Sequence, residues 1–189
     1  MTKSIMIVGV GGQGSLLAST LLGKLLVTEG YDVKVSEVHG MSQRGGSVVT
    51  YVRYGDKVYS PIIEKGDADC IISFEKLEAA RWVQYLKKDG VIITNTQQID
   101  PMPVVIGATE YPADILTELS QKVKVDALDA LSLAQQAGSS RAVNIVLMGR
   151  LAKYLDIDRE KWETAVAQTV PEKFRELNLK AFALGYDFK

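Results

Sequence analysis

The stretch that most constrains this chain lies near its start. An unbroken apolar run, Ile5-Met6-Ile7-Val8, leads into Gly9-Val10-Gly11-Gly12-Gln13-Gly14, and a helix-like pattern over residues 15–29 follows at once. A buried strand, a tight turn and a helix start are therefore expected in that order. Gly9, Gly11 and Gly14 stand at Gly-x-Gly-x-x-Gly spacing, which lets the backbone leave the strand sharply and turn free N–H groups toward an anion. Gly9, Gly11, Gly12, Gln13 and Gly14 are accordingly the candidate cofactor-binding residues. The same turn also serves as a purely structural joint, and glycine spacing alone does not separate the two readings.

The rest of the chain alternates strand and helix patterns. Leu16, Leu17, Leu21 and Leu25 make the 15–29 helix broadly apolar, with Gly30 as its stop, and Val33 and Val35 mark residues 31–38 as a second strand. Strand character returns at 47–54, and Gly55-Asp56 reads as a turn into 57–60, which predicts a β-hairpin from those two segments. Further strands are expected around Ile71, at 91–95 and at 122–126, with helices over 75–86 and 113–121. Between them lie a proline-broken loop at 100–103 and a short apolar run at 104–106. From residue 127 the pattern is helical: 127–137, 141–155, 159–170 and 171–184, with Asp158 as an N-cap, Pro171 in a first turn, and Gly138 and Gly185 as stops. Asn144 and Arg150 interrupt the apolar spacing of the 141–155 helix. The expected architecture is α/β, a Rossmann-like three-layer sandwich with a β-hairpin insertion and a helical C-terminal end, forming a single domain over 1–189.

Composition removes several function classes. The 22 Lys and Arg balance 23 Asp and Glu, and no dense basic run occurs, so nucleic acid is not an expected partner. No apolar segment reaches the roughly 18 residues needed to span a bilayer, and no cationic leader is visible, so a cytoplasmic location away from membranes is expected. Cys70 is the sole cysteine and His39 the sole histidine. A zinc cluster or a four-cysteine iron–sulfur site therefore cannot be assembled from this chain, and no metal ligands are assigned. Cys70 itself sits in an apolar strand pattern and reads as a small core residue rather than a nucleophile.

The second informative stretch is His39-Gly40-Met41-Ser42-Gln43-Arg44-Gly45-Gly46, which breaks both periodicities at the carboxyl end of a strand. An arginine among glycines suits forked binding of a carboxylate or phosphate, or an equivalent salt bridge across a subunit interface. His39 could move a proton near neutral pH or simply bond backbone. Gln43 adds uncharged donors and acceptors, and Gly45-Gly46 permits close backbone approach. His39, Ser42, Gln43, Arg44, Gly45 and Gly46 are the candidate substrate-binding or subunit-interface residues. Glu37 is placed where a dinucleotide site would put its ribose-binding acid, or is an ordinary strand-end residue. Asp67 and Asp69 read as solvated turn acids, Trp82 and Trp162 as packing residues, and Ser139-Ser140 as a helix-capping region.

The two motifs together, Val8-Gly9-Val10-Gly11-Gly12-Gln13-Gly14 and Glu37-Val38-His39-Gly40-Met41-Ser42-Gln43-Arg44-Gly45-Gly46, resemble the gamma-type domain of 2-oxoacid:ferredoxin oxidoreductases. Within that family the likeness is to the small beta subunits of the indolepyruvate-using enzymes, and it spans most of the chain. The resemblance implies an accessory subunit of an enzyme that oxidatively decarboxylates arylpyruvates to aryl-acetyl-CoA, with coenzyme A as co-substrate and ferredoxin as electron acceptor. It implies that a large alpha subunit carries the thiamine diphosphate and the iron–sulfur clusters, and that this chain alone holds no cofactor. Lys88-Asp89-Gly90 lacks the first glycine of a Gly-Asp-Gly thiamine signature, in keeping with that division. The competing expectation from the glycine turn is a stand-alone NAD(P)- or flavin-dependent oxidoreductase of Rossmann type; a non-enzymatic nucleotide-sensing module is a third.

Overall fold

The computed structural model describes residues 2–39 and 45–189, with His39 described by its backbone only. Its centre is a six-stranded sheet in the order β2-β3-β1-β4-β5-β6. The strands are β1 (Lys3–Val10), β2 (Asp32–His39), β3 (Ser47–Gly55), β4 (Ala68–Ser73), β5 (Leu86–Asn95) and β6 (Lys124–Leu128). β1, β4, β5 and β6 run parallel, while β3 is antiparallel to both β1 and β2. Alternation along β1 assigns the two faces: Ile5 and Ile7 enter one core, Met6 and Val8 the other.

Helices cover both faces, which makes three layers. α1 (Ser15–Thr28), α5 (Ala130–Ala137), α6 (Val143–Leu151), α7 (Arg159–Thr169) and α8 (Arg175–Tyr186) contribute to the Ile5 and Ile7 core. α2 (Lys76–Trp82) and α4 (Ile115–Ser120) cover the Met6 and Val8 face, and α3 (Met102–Val105) is a single turn between β5 and α4. Cys70 is buried in the core, and burial pushes its thiol pKa well up, as expected of an inert packing residue. Trp162 is fully buried beside Phe182.

The hairpin forms, but from different segments than expected. Residues 57–60 make no strand; β3 instead pairs back onto β2 across the 40–46 connection, and wedges between β2 and β1. The physical reason is in β3 itself: Val49, Tyr51 and Val52 are apolar on both faces, so a central position buries more than a surface hairpin would. Residues 57–64 are held by Arg53, whose guanidinium donates to the carbonyls of Ile62 (2.8 Å) and Ser60 (3.4 Å).

Two further expectations are corrected. Gly185 is no helix stop: it lies inside α8, where an added Cβ would stand 1.9 Å from the Val146 carbonyl oxygen, while a Cβ on Gly149 of α6 would meet the Phe182 carbonyl at 2.1 Å. The two glycines let α6 and α8 cross backbone to backbone. Asp67 and Asp69 are not merely solvated. The Asp69 carboxylate accepts the Ser4 amide at 2.8 Å and pairs with Lys87 at 3.1 Å, and Asp67 pairs with Arg53 at 3.5 Å, tying together the edge of the sheet away from the glycine turn.

Candidate functional site

The glycine turn opens where the chain leaves β1. α1 departs to one face of the sheet and α2, following β4, to the other, so the carboxyl ends of β1 and β4 flank the crevice where open α/β sheets bind ligands. Here the crevice is bridged by the chain's own glutamine. Val10 N–H donates to Gln13 Oε1 at 2.7 Å, Gln13 Nε2 donates to the Phe74 carbonyl at 3.0 Å, and the Phe74 amide donates to Val8 at 2.9 Å. Gly9 is required beneath that bridge, since a Cβ there would lie 2.9 Å from Gln13 Oε1 and 3.1 Å from Phe74 Cβ. Gly9 and Gln13 therefore face into the fold and brace the loop.

Gly14 caps the start of α1 in the left-handed region, φ +89°. Its carbonyl accepts Asn144 Nδ2 at 3.2 Å, and an added Cβ would come within 2.6 Å of that nitrogen. This explains one interruption in the α6 pattern: a polar residue is set into an apolar helix to hold the glycine turn. The other, Arg150, donates to Asp126 at 2.7 Å and to the Phe188 carbonyl at 2.6 Å, fastening β6 and the chain's end to α6.

The two sequence motifs meet in space. Gly11 N–H donates to the Gly46 carbonyl at 2.8 Å and Gly45 N–H to the Gly11 carbonyl at 3.3 Å, a reciprocal pair that joins the glycine turn to the end of the arginine-bearing connection. Beside this junction a cleft of about 440 Å³ is lined by Gly11, Gly12, Gly14, Ser15, Leu16, Glu37 and Val48. The first turn of α1 contains no acid, so its amides and the positive end of the helix dipole present an unscreened donor surface on one side. On the other side Glu37, hydrogen-bonded by Thr50 at 3.3 Å, supplies an acceptor. Such a cleft suits a ligand or partner segment that carries both an anionic or carbonyl group and hydroxyl or N–H donors. Ser42, Gln43, Arg44 and the His39 side chain lie outside the described residues.

The junction of β4 and α2 carries functional-looking groups that the sequence reading passed over. Glu75, 1% exposed, accepts the Glu78 amide at 2.9 Å as N-cap of α2, the Ile99 amide at 3.3 Å and the Tyr111 hydroxyl at 2.5 Å. Glu78 is also buried and accepts Arg81 Nε at 3.0 Å, Trp82 Nε1 at 3.2 Å and the Ser47 hydroxyl. Ser47 follows Gly46 directly, so α2 is tied to the loop junction as well. The available signal was Glu75-Lys76-Leu77-Glu78 at the end of an apolar strand, which has capping-box spacing.

A family model described as pyruvate ferredoxin/flavodoxin oxidoreductase matches residues 4–188, nearly the whole chain. This chain belongs to that family. Among curated relatives, the indolepyruvate oxidoreductase subunit IorB of Thermococcus kodakarensis is 43% identical over 190 residues, covering 96% of this chain and 93% of the relative. In fold the chain is similar to the keto/oxoacid ferredoxin oxidoreductase gamma subunit of Geobacter sulfurreducens, with TM-score 0.73 and 24% identity over 98% of this chain and 96% of that one. It is also similar to part of the 2-oxoglutarate:ferredoxin oxidoreductase of Magnetococcus marinus, with TM-score 0.75 and 19% identity over 97% of this chain but 30% of that one. The family's fold is thus found both as a short separate chain and as one portion of a longer one. Membership over residues 4–188 leaves the free-standing nicotinamide or flavin oxidoreductase without support.

Proposed function

We infer that this chain is the small accessory subunit of an indolepyruvate:ferredoxin oxidoreductase, an IorB subunit. The observation that carries the reading is the 43% identity to such a subunit over 96% of the chain. The reaction assigned to the assembly is oxidative decarboxylation of an arylpyruvate to aryl-acetyl-CoA, with coenzyme A as co-substrate and the electrons passing to ferredoxin. The thiamine diphosphate and iron–sulfur clusters belong to a large alpha subunit; the single cysteine of this chain cannot ligate a cluster by itself. We place the assembly in the cytoplasm. No described helix is long and apolar enough to cross a membrane.

Within that assembly, the part given to this chain is to wall a shared site. The reciprocal Gly11–Gly45 and Gly11–Gly46 hydrogen bonds support assigning the two motifs to one surface. Gly12 and Gly14 offer backbone donors there, for coenzyme A, thiamine diphosphate or the partner's backbone; Gly11 lines the cleft with its own N–H given to Gly46, and Gly45-Gly46 permits close approach. Gly9 and Gln13 hold the turn in shape. Arg44, with Ser42, Gln43 and His39 near it in sequence, is assigned to the substrate carboxylate or to the subunit interface.

Purifying the untagged protein from its native host tests this reading. The expected result is co-purification with a brown, thiamine-containing larger subunit. Recovery as a free chain that binds a nicotinamide or flavin cofactor at micromolar concentration would contradict it.

A further inference from the structure

Between β5 and α4 the chain makes a long arm: no residue from 96 to 114 is buried. Connections of this length are uncommon in a compact α/β fold and usually serve a function. The arm nevertheless has a defined shape. Its tip, α3 with its flanks, is closed by its own backbone: Val104 and Val105 donate to the Pro101 carbonyl at 2.9 and 3.1 Å, Ile106 to Met102 at 3.0 Å, and Ala108 to Pro103 at 2.8 Å. Gly107, at φ +74°, ends the turn.

The tip displays apolar side chains outward. Met102, Val105 and Ile106 are 68, 66 and 69% exposed, among the most exposed large hydrophobics of the described residues. Their i, i+3, i+4 spacing puts them on one side of the helical turn, the anchor pattern by which a short helix enters an apolar groove.

The base of the arm is held as firmly as the tip is free. Buried Glu75 receives Ile99 N–H from one end of the arm and the Tyr111 hydroxyl from the other, and the Lys76 ammonium lies 5.1 Å from the Tyr111 ring centroid. Asn95 joins the base to the glycine turn: its Nδ2 lies within hydrogen-bonding distance of the Phe74 carbonyl that Gln13 also uses, at 3.3 Å, and of Gln97 Oε1 at 3.2 Å. The arm therefore leaves the same carboxyl edge of the sheet as the glycine turn and is linked through consecutive hydrogen bonds to Gln13 of that turn, while the cleft opens on the α1 face of the same edge.

We propose that the 96–114 arm is a docking element whose Met102, Val105 and Ile106 enter an apolar pocket of the larger catalytic subunit. This rests on the accessory-subunit reading above. The larger subunit is favoured over a second copy of this chain because the arm is continuous with the edge that carries the cleft, so one partner seated there covers both.

The test is dilution of the co-expressed complex, followed by mass photometry, for the wild type, for Met102→Ser/Ile106→Ser, and for Met102→Glu/Val105→Glu/Ile106→Glu. Thermal melts of each chain check folding. The expected result is association weakened at least about tenfold in the double variant and more in the triple, with melting unchanged. Should the triple variant not fold, the double variant decides. Association within about twofold of wild type in a folded variant would overturn the proposal. So would self-association of the isolated chain that the substitutions abolish while leaving the larger subunit bound. Failure of the wild type to bind the larger subunit at all would instead bring down the accessory-subunit reading, and the arm's role with it.

Discussion

The glycine turn and the 96–114 arm leave the same edge of one sheet, yet they are held in opposite ways. The turn is braced internally from three sides, by Gln13 to Phe74 just beyond β4, by Asn144 of α6 and by Gly45-Gly46, although the partners are distant in sequence. The arm is pinned at its base by Glu75 and carries its apolar residues into solvent. A surface that must keep its shape around a ligand benefits from internal bracing, whereas one that meets a partner keeps its contact groups free. On the roles proposed above, the two regions divide the work of an accessory subunit, the turn walling a site and the arm attaching the chain to its partner.

Substitutions should break this contrast in graded fashion. Among substitutions in these two regions, the largest effect on the chain's own stability is expected for Gly14→Ala, which forces an L side chain to φ +89° and into Asn144 Nδ2; chemical denaturation should register a loss of about 2 kcal/mol or more. Glu75→Ala comes next. It removes the α2 N-cap and strips both ends of the arm of their acceptor, for about 2 kcal/mol, and amide exchange should rise at Ile99.

Tyr111 gives a smaller, pH-dependent effect. Burial first, then its hydrogen bond to Glu75 and that residue's charge, hold the phenol pKa above its ordinary value of 10.0. Below that value folded and unfolded chains both keep the proton, so the stabilisation is complete. Above it the unfolded chain ionises while the folded one resists, and stability falls as pH rises. Tyr54, raised to about 12 by burial, shares this window. Tyr111→Phe should therefore reduce the alkaline slope rather than abolish it, at a cost of about 1 kcal/mol near neutrality. At the small end, Met102→Ser at the arm's tip should change the melting of the isolated chain by less than about 0.5 kcal/mol. A large loss there would mean that the tip packs on its own fold.

Much of the first region was legible because its signals are local. A strand, glycines at fixed offsets and an apolar helix declare themselves within a few residues, and Gly30 and Gly138 end helices where the pattern places them. What could not be read was partnership at long range. Nothing near Gln13 names Phe74, 61 positions on, and Asn144 looks like a flaw in an apolar helix until Gly14 is found beneath it. Gly185 has the composition of a helix stop and the task of a helix crossing, a distinction that exists only once α6 is in place. The hairpin was missed for a related reason: the local turn at Gly55-Asp56 competes with a pairing of β3 to β1 and β2, and burial of both faces of β3 decides it. In the arm, the 104–106 run and the prolines before it carry no periodicity long enough to reveal an exposed helical turn.

The larger subunit's dependence on this chain is tested most directly by reconstitution. Arylpyruvate- and coenzyme A-dependent viologen reduction, followed as the chain is titrated into the larger subunit, should be absent for either alone and rise to a plateau at a fixed stoichiometry. Full activity of the larger subunit without this chain would contradict it.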